Sequence, residues 1–516
     1  MTSPTPDASD EDADALRRSA AEVRLPTAGE MADLDRRATT SGATTERTLI
    51  EAAGREVARQ VRERWPDGPV VGLLGSGHNG ADALVALRTL AAWGREVRGV
   101  LCGSGPPEPD VSAGWDVPTV PADGLDGALR GAAVALDGIL GTGVTGAPRE
   151  PQAQAIRRLN GSGVPVAAVD GPSGIDFTTG EVPGAVVRAR LTVALGWPKL
   201  GMLFPPAREA CGEIVAVEIG FPPPGDGAAR AVTGRWVRRM LPSRAPDAHK
   251  GDAGYLALVA GQEGMAGASV LAARAAGRGG AGIVRVVGAP GNRVVVQGAV
   301  PDALFTPWDD RGAVEEAMGW AHAVAVGPGL GRGDARRSLV EAVLEDRGDR
   351  PLVLDADGLN VWAGDAGALA ARVDDGDLLT PHPGELGRIL GLSVPEVLED
   401  PPARAREAAG RLGAAVLLKG SPSLVATPSG ELRVAATAGP EVASGGSGDV
   451  LTGLAGAYLA AGLAPGDAAS AALLLSGLAA AGLGPPEGHL ASDVPDRLPA
   501  ARARVEELPP AVPGPV

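Results

Sequence analysis

Cysteine is almost absent: Cys102 and Cys211 are the only two in 516 residues. That excludes a disulfide scaffold and a cysteine-built zinc site, and it fits a reducing compartment, with the cytoplasm as the expected location. Lysine is nearly as scarce, since Lys199, Lys250 and Lys419 stand against 44 arginines. In a chain that otherwise uses arginine for positive charge, a lysine beside a Gly or Pro turn is either a chance survivor or a place where a compact ammonium is wanted. None of the three lies in a G-x-x-x-x-G-K-[ST] run, which excludes a Walker A loop. A basic excess is lacking as well. The 47 Lys and Arg against 63 Asp and Glu leave a net charge of −16, which argues against nucleic acid or an anionic membrane as partner. Residues 1–22 are acidic and polar at their start, without the basic and apolar regions of a signal peptide, and are expected to form a disordered tail. The apolar run at 468–484 is short for a membrane span and rich in Ala and Gly, so it predicts a buried helix.

The length exceeds what one core usually organises, and two domains are expected. From residue 70, short β-rich runs alternate with helical stretches: 70–74, 96–102, 133–140, 164–170, 191–196 and 214–220. This alternation predicts a parallel α/β sheet, preceded by helix-compatible spacing over Glu30–Arg59. The Pro/Gly cluster FPPPGDGAAR then ends the first domain. A second alternation follows at 255–261, 282–288, 323–327, 351–357 and 415–420, with a hairpin over 423–437. The expected boundaries are a domain at 23–222, a linker at 223–230, a domain at 231–505 and a loose tail at 506–516. No motif of one half aligns with the other, so the chain reads as a fusion of unlike domains.

In the second half, Ala443–Leu451 (ASGGSGDVL) places a glycine-rich turn and a carboxylate at the start of a helix. Main-chain amides of Gly446–Gly448 and the helix dipole suit a phosphate, and Asp449 suits the deprotonation of a hydroxyl. A tight turn with a capping aspartate is the plainer alternative. Strand ends should bring GPGLG (327–331), Asp355 and Asp357, TPHPGE (380–385) and Lys419-Gly420 to the same edge. His382, stiffened by two prolines, is either a substrate contact or a loop residue.

The ordered set HKGDAGY (249–255), GRGGAGIVRV, GPGLG, VLDADGLN, LLTPHPGE, LLKGS and ASGGSGDVLTG resembles the ribokinase-like ADP-dependent NAD(P)H-hydrate dehydratase family. The resemblance implies phosphorylation of the hydroxyl of (6S)-NAD(P)HX by ADP and elimination of phosphate. It also implies Asp449 as base, ADP on Lys419, Gly420, Ser421, Pro422, Ser423 and Gly448, and hydrate contacts at Ala281, Gly329, His382 and Asp449. Mg2+ is expected with the ADP phosphates, with Asp355 and Asp357 as candidate ligands. The chain has Val442 where the family usually has Met, and AGQEGMAGA where a Ser and an aromatic are often found.

In the first half, Gly75-Ser76-Gly77-His78-Asn79-Gly80 follows a strand, opens a helix and matches G-x-G-x-x-G, which alone suggests a Rossmann-like NAD site with Glu96 near the ribose. Two further turns, DGILGTG (137–143) and DGPSGID (170–176), bring more carboxylates to strand ends. Asn79, Asp137 and Ser173 offer oxygen ligands to a hard cation, Asp170 can exchange protons with a substrate, and helix or turn capping is the plainer reading of each. With LIEAAG before them and GWPKLG (196–201) after, these motifs resemble the NAD(P)H-hydrate epimerase family. That implies K+ on Asn79, Asp137 and Ser173 and an acid–base role for Asp170. It implies substrate contacts at His78, Asn79, Gly80, Ala81 and Asp82 and at Gly141, Thr142, Gly143, Val144, Thr145, Gly146 and Ala147. HNGAD and DGPSG depart from the usual NNGGD and DIPSG, and Gln152 stands where an aromatic contact is expected. Lys199 reads as a conformational feature of its turn, without chemistry.

Together the resemblances imply two three-layer αβα domains, Rossmann-like then ribokinase-like. They also imply a homo-oligomer acting on NADHX and NADPHX with ADP as cosubstrate. The competing reading is a kinase for a vitamin-like alcohol with a nucleotide-binding regulatory domain.

Overall fold

A computed structural model of the chain describes residues 23–243, 247, 249, 251–436, 444–483 and 487–507. The expected tail at 1–22, most of that at 506–516, Lys250 and Val442 lie outside the described residues. The chain divides into two compact units between Ala229 and Arg230.

In the first unit, the extended pair β1 (Arg24–Leu25) leads into helix α1 (Ala28–Thr40), started by a capping box between Thr27 and Glu30. Helix α2 (Glu46–Arg64) follows, capped by Thr45. The helix-compatible stretch at 30–59 is thus two helices, broken where Gly42 takes a left-handed φ of 75°. The strands are β2 (Val70–Leu74), β3 (Val97–Leu101), β4 (Thr119–Pro121), β5 (Val134–Gly138), β6 (Val166–Val169), β7 (Leu191–Leu195) and β8 (Glu213–Val217). They form one parallel sheet in the order β4-β3-β2-β5-β6-β7-β8. The strands β2, β5, β6 and β7 are buried along their whole length, with both faces covered, which is why they read as near-continuous apolar runs. Val70 and Leu74 pack in a cluster with Val57 and Val85, while Val71 and Leu73 pack in another with Leu125 and Ile156. Helix α3 (His78–Ala92) runs from the end of β2. A Cβ on Gly54 would stand 2.4 Å from that of Val85, so α2 and α3 touch nearly backbone to backbone.

The second unit holds β9 (Ala229–Ala231), which lies partly in the stretch expected to be a linker. The further strands are β10 (Tyr255–Val259), β11 (Ile283–Gly288), β12 (Leu304–Pro307), β13 (Ala323–Val326), β14 (Leu352–Leu354), β15 (Leu378–Leu379), β16 (Ala415–Leu418), β17 (Ser423–Ala426) and β18 (Leu432–Ala435). Their order is β9-β18-β17-β16-β15-β14-β13-β10-β11-β12, antiparallel only at β16-β17 and β17-β18. The strand expected to run to 357 stops at Leu354, because Asp355 caps the short helix Ala356–Asn360. Helix α4 (Ala266–Gly279) crosses α5 (Ser447–Ala460) closely: a Cβ on Gly453 would stand 2.0 Å from Ala272 O. The apolar run at 468–484 forms the buried helix α6 (Pro465–Ala481). Helix α7 (Val494–Glu506) closes the unit, and its last residue enters the segment expected to be a tail. Among the described residues no helix is long and apolar enough to cross a membrane.

Candidate functional site

Each unit carries a candidate site at the carboxyl ends of its strands. In the first, the strand order reverses around β2, whose neighbours are β3 and β5, and a crevice opens at such a switch point. The loops after β2 and β5 meet there: Gly75 N donates to Gly138 O at 2.9 Å. A Cβ on Gly75 would stand 2.0 Å from Ile139 O, and one on Gly80 2.0 Å from Gly75 O, so these glycines are required by contact. A cleft of about 590 Å3 lies over this junction. Of the residues singled out in the sequence, His78, Asn79, Gly80, Asp82, Gly141, Thr142, Gly143, Val144 and Asp170 line it, as does Gln152. Ala81, wholly buried in the first turn of α3, and Thr145, Gly146 and Ala147 stand outside the lining.

Beneath the cleft, Asp137 is 0% exposed. Ser173 Oγ donates to its Oδ1 at 2.6 Å, Ser173 N to its Oδ2 at 2.8 Å, and Ile139 N to Oδ1 at 3.2 Å. Asn79 Nδ2 donates to Leu140 O at 2.9 Å, and Leu140 N donates to Ser173 Oγ at 2.9 Å. Asn79, Asp137 and Ser173 are therefore one connected cluster. Burial pushes the Asp137 carboxyl up to about 6, against the lowering effect of its hydrogen bonds, and no cationic side chain pairs with it among the described residues.

Asp170 follows β6 with φ 65°, a left-handed backbone that a non-glycine residue adopts only when its surroundings hold it. Those surroundings are Leu195 N, donating to Oδ1 at 3.0 Å, and Lys199 Nζ, ion-paired with the same oxygen. Lys199 is 1% exposed, lines the cleft, and also donates to Leu195 O. The reading of Lys199 as a turn residue without chemistry is thereby corrected: its ammonium is the buried counter-charge of Asp170. The available signal was its rarity. Asp35 and Glu46, from α1 and α2, also line the cleft and were not anticipated.

In the second unit the strand order reverses around β10, flanked by β13 and β11. The loops after β10 and β13 join through Gln262 N donating to Gly329 O at 2.7 Å. Gly327 lies so close to the chain after β14 that a Cβ would stand 1.7 Å from Asp355 O. Lys419 N donates to Pro381 O at 2.8 Å, tying the β16 end to the loop of His382. The side chains then converge. Asp355, 1% exposed, is ion-paired with Lys419 Nζ at 2.5 Å and accepts from Thr452 Oγ1 at 2.5 Å and Ala356 N at 2.8 Å. A Cβ on Gly448 would stand 3.4 Å from Lys419 Nζ and 3.8 Å from Asp355 Oδ2. Asp449 sits in the first turn of α5 beside this pair. Burial first, then the Asp355 charge, push its carboxyl up to about 6, and Lys419 opposes them.

Gly420 N and Ser423 Oγ bond each other across the loop that also holds Ser421 and Pro422. His382 caps Pro383–Leu390: its Nδ1 accepts from Gly384 N at 2.9 Å, and its Nε2 lies 3.4 Å from Glu385 Oε1. Ala281 packs against the core before β11. Asp357 accepts from Gly331 N at 2.9 Å and pairs with Arg332. Among the described residues no group of three or more His, Cys, Asp or Glu is placed to hold a metal ion.

Residues 46–201 match the family described as YjeF-related protein N-terminus, and residues 256–498 the NAD(P)H-hydrate dehydratase family. The bifunctional NAD(P)H-hydrate repair enzyme Nnr of Salinibacter ruber is 36% identical over 536 residues, spanning 95% of this chain and 98% of that one. The chain belongs to the bifunctional NAD(P)H-hydrate repair enzyme family. The member of that family from Coxiella burnetii is 34% identical over 477 residues, or 90% of this repair-family chain and 96% of its own length. A ribokinase-like superfamily protein from Enterococcus faecalis superposes with a TM-score of 0.50 at 20% identity, covering 56% of this chain and 99% of that one. That likeness gives the ribokinase-like fold of the second unit.

Proposed function

We propose that the chain repairs hydrated NAD(P)H, with the first unit interconverting (R)- and (S)-NAD(P)HX and the second dehydrating (S)-NAD(P)HX at the expense of ADP. The observation that carries this reading is the near full-length match to a bifunctional repair enzyme, running through both units. In the second unit ADP lies along Lys419, Gly420, Ser421, Pro422 and Ser423 and the amide of Gly448, at the N-terminus of α5. Asp449 takes the proton of the hydrate hydroxyl as its oxygen attacks the β-phosphorus, releasing AMP. The phosphate ester then leaves as inorganic phosphate with loss of a ring proton, giving NAD(P)H. Hydroxide is a poor leaving group and phosphate a good one, which is what the nucleotide contributes. Ala281, Gly329 and His382 contact the hydrate. Neither Asp355 nor Asp357 fits as a direct Mg2+ ligand, because their oxygens are engaged by Lys419, Thr452 and Ala356 and by Gly331 and Arg332. Mg2+ enters with ADP, and no step is assigned to it.

In the first unit Asp170 is the acid–base residue, and the cleft-lining residues from His78 to Asp82 and Gly141 to Val144 hold the hydrate. Asn79, Asp137 and Ser173 suit K+: they are oxygen donors around a buried carboxylate that has no cationic side chain of its own. When bound, K+ would neutralise Asp137 and fix the loop after β5. The joined activities have a logic, since a dehydratase that takes one epimer drains the whole damaged pool only if the other is converted. The protein works in the cytoplasm as a homo-oligomer. The test is incubation with mixed R and S hydrates of NADH and ADP: return of the reduced-nicotinamide absorbance with equimolar phosphate is expected, and accumulation of a stable phosphorylated alcohol would overturn the reading.

A further inference from the structure

Asp82 is the least explained polar residue of the first unit. It is 7% exposed, lines the cleft, and its carboxyl has no hydrogen-bond or ion-pair partner among the described residues. A buried carboxyl without a partner is costly and persists where it has a use. It is also fixed in place. Helix α3 is pressed on one side against Gly54, whose Cβ would stand 2.7 Å from Asp82 O, and on another against Gly138, whose Cβ would stand 2.5 Å from that of Ala83. The side chain is therefore presented to the cleft by backbone that has no room to retreat.

The charged and titratable groups that share the cleft with it come from five elements: Asp170 after β6, Lys199 after β7, Asp35 on α1, and the His78–Glu46 pair on α3 and α2. Lys199 is committed to Asp170. Burial, followed by the charge of Asp170, holds the Asp82 carboxyl well above the usual carboxylate range, with Lys199 pulling it down and Asp35 adding to the rise. One cleft thus contains an aspartate with its own ammonium and another without.

We infer that Asp82 is a second catalytic carboxyl of this cleft, exchanging a proton with the hydroxyl on one face of the hydrated nicotinamide ring while Asp170 serves the other face. This rests on the reading of the first unit as an epimerase. The carbon bearing the hydroxyl adjoins the ring nitrogen, so its C–O bond can be broken with help from the nitrogen lone pair. Asp82 gives its proton to the hydroxyl, water departs, and the lone pair forms the C6=N1 bond of a cationic ring. A water on the opposite face bonds to C6, the π pair returns to N1, and Asp170 takes the proton that this water loses. One water leaves and one enters, with no oxidant or reductant. The pair ends with its proton on Asp170, ready to run the opposite epimer by the same steps reversed.

The test uses the full chain, the purified R hydrate of NADH and no nucleotide, with epimers separated by chromatography in water enriched in oxygen-18. Asp82→Asn is expected to lower kcat about 100- to 10,000-fold with KM within about threefold. Uptake of oxygen-18 at C6 falls in parallel, and Asp82→Glu recovers part of the loss. If the Asn variant does not fold, the Glu variant decides, through its own kcat and KM. A variant with near-normal kcat while Asp170→Asn is inactive, a change confined to KM, or epimerisation without oxygen-18 uptake overturns the inference. A wild-type chain that leaves the R hydrate unchanged overturns the epimerase reading itself, and does so without any substitution.

Discussion

The Asp449 carboxyl titrates at about 6 for reasons that can be perturbed one at a time. If it must be ionised to accept the hydroxyl proton, dehydration should climb with pH along a limb centred there. About a tenth of the base is ionised at pH 5, half at pH 6 and roughly nine-tenths at pH 7. The cleanest perturbation is Asp355→Asn, which keeps the shape of the side chain bonded to Thr452 while deleting its charge. Even a like charge roughly 10 Å away, in an effective permittivity of ~20, is worth about 1.7 kcal/mol, or roughly one pH unit. The deletion also frees Lys419, which already pulls the Asp449 carboxyl down. Both changes act in the same direction, so the limb should move from about 6 towards acid by at least roughly one unit.

The assay is the initial rate of NADH return from the S hydrate at saturating ADP between pH 4.5 and 8, each variant normalised to its own plateau. Plateau height will fall, because Lys419 loses its anchor and a weaker base transfers protons less well. The position of the limb is the readout that a merely structural lesion would not move. For the wild type, the ratio of the rate at pH 5 to that at pH 7 should be about 0.1; for Asp355→Asn it should rise to about one half. A wild-type limb near the ordinary carboxylate value, or a limb unmoved by the substitution, refutes the account of Asp449 as a buried base tuned by a neighbouring charge.

Lys199→Met should leave Asp170 with no counter-charge in a site where the ammonium is 1% exposed; epimer interconversion is expected to fall at least about 100-fold, with up to 3–5 kcal/mol lost in denaturant unfolding of the first unit, and a variant as active as wild type would refute the pairing. K+ should stabilise the first unit most above pH 6: the Asp137 carboxyl, raised to about 6, binds its proton more tightly folded than unfolded, so its contribution to stability is lost as pH rises from about 4 through 6 unless a cation replaces the proton. Melting curves in KCl against tetramethylammonium chloride read this, and Asp137→Asn should erase the difference. Gly453→Ala places a methyl 2.0 Å from Ala272 O and should cost about 1–3 kcal/mol by forcing α4 and α5 apart; an unchanged melting temperature would show that the crossing is looser than it stands here.

Much of the architecture was legible because it is written in short periods. The five-residue apolar runs at β2 and β10 and the glycines after β2 announce themselves locally, and the contacts at Gly75 and Gly80 show why no other residue would serve. What was not legible is set by pairing across distance. The two-residue β15 is too short to carry a period, and β4, with one half-buried residue between two exposed ones, has no apolar run to read. The Asp355–Lys419 pair joins residues 64 apart in sequence, and Asp170–Lys199 residues 29 apart, so nothing near Lys199 revealed which carboxylate it would meet.

Those two pairs bear on the scarcity of lysine. Lys199 and Lys419 each lie against one aspartate, and each pair stands beside a second aspartate whose carboxyl is raised, Asp82 in one unit and Asp449 in the other. In both places the first cause is burial and the second is the charge of the paired aspartate, with lysine the opposing influence. A lysine pinned to one carboxylate only partly offsets the field felt by the next, which leaves that neighbour holding its proton above the usual carboxylate range. Arginine, with a broad fork of five donors, would reach both carboxylates of such a pair and hold both ionised. The device therefore needs the smaller cation. Lys419→Arg should consequently shift the dehydration limb to lower pH without emptying the nucleotide site, and Lys199→Arg should depress epimerisation more than its retained charge would suggest. A pair of arginine variants indistinguishable from wild type in both profiles would reduce the two lysines to interchangeable counter-ions.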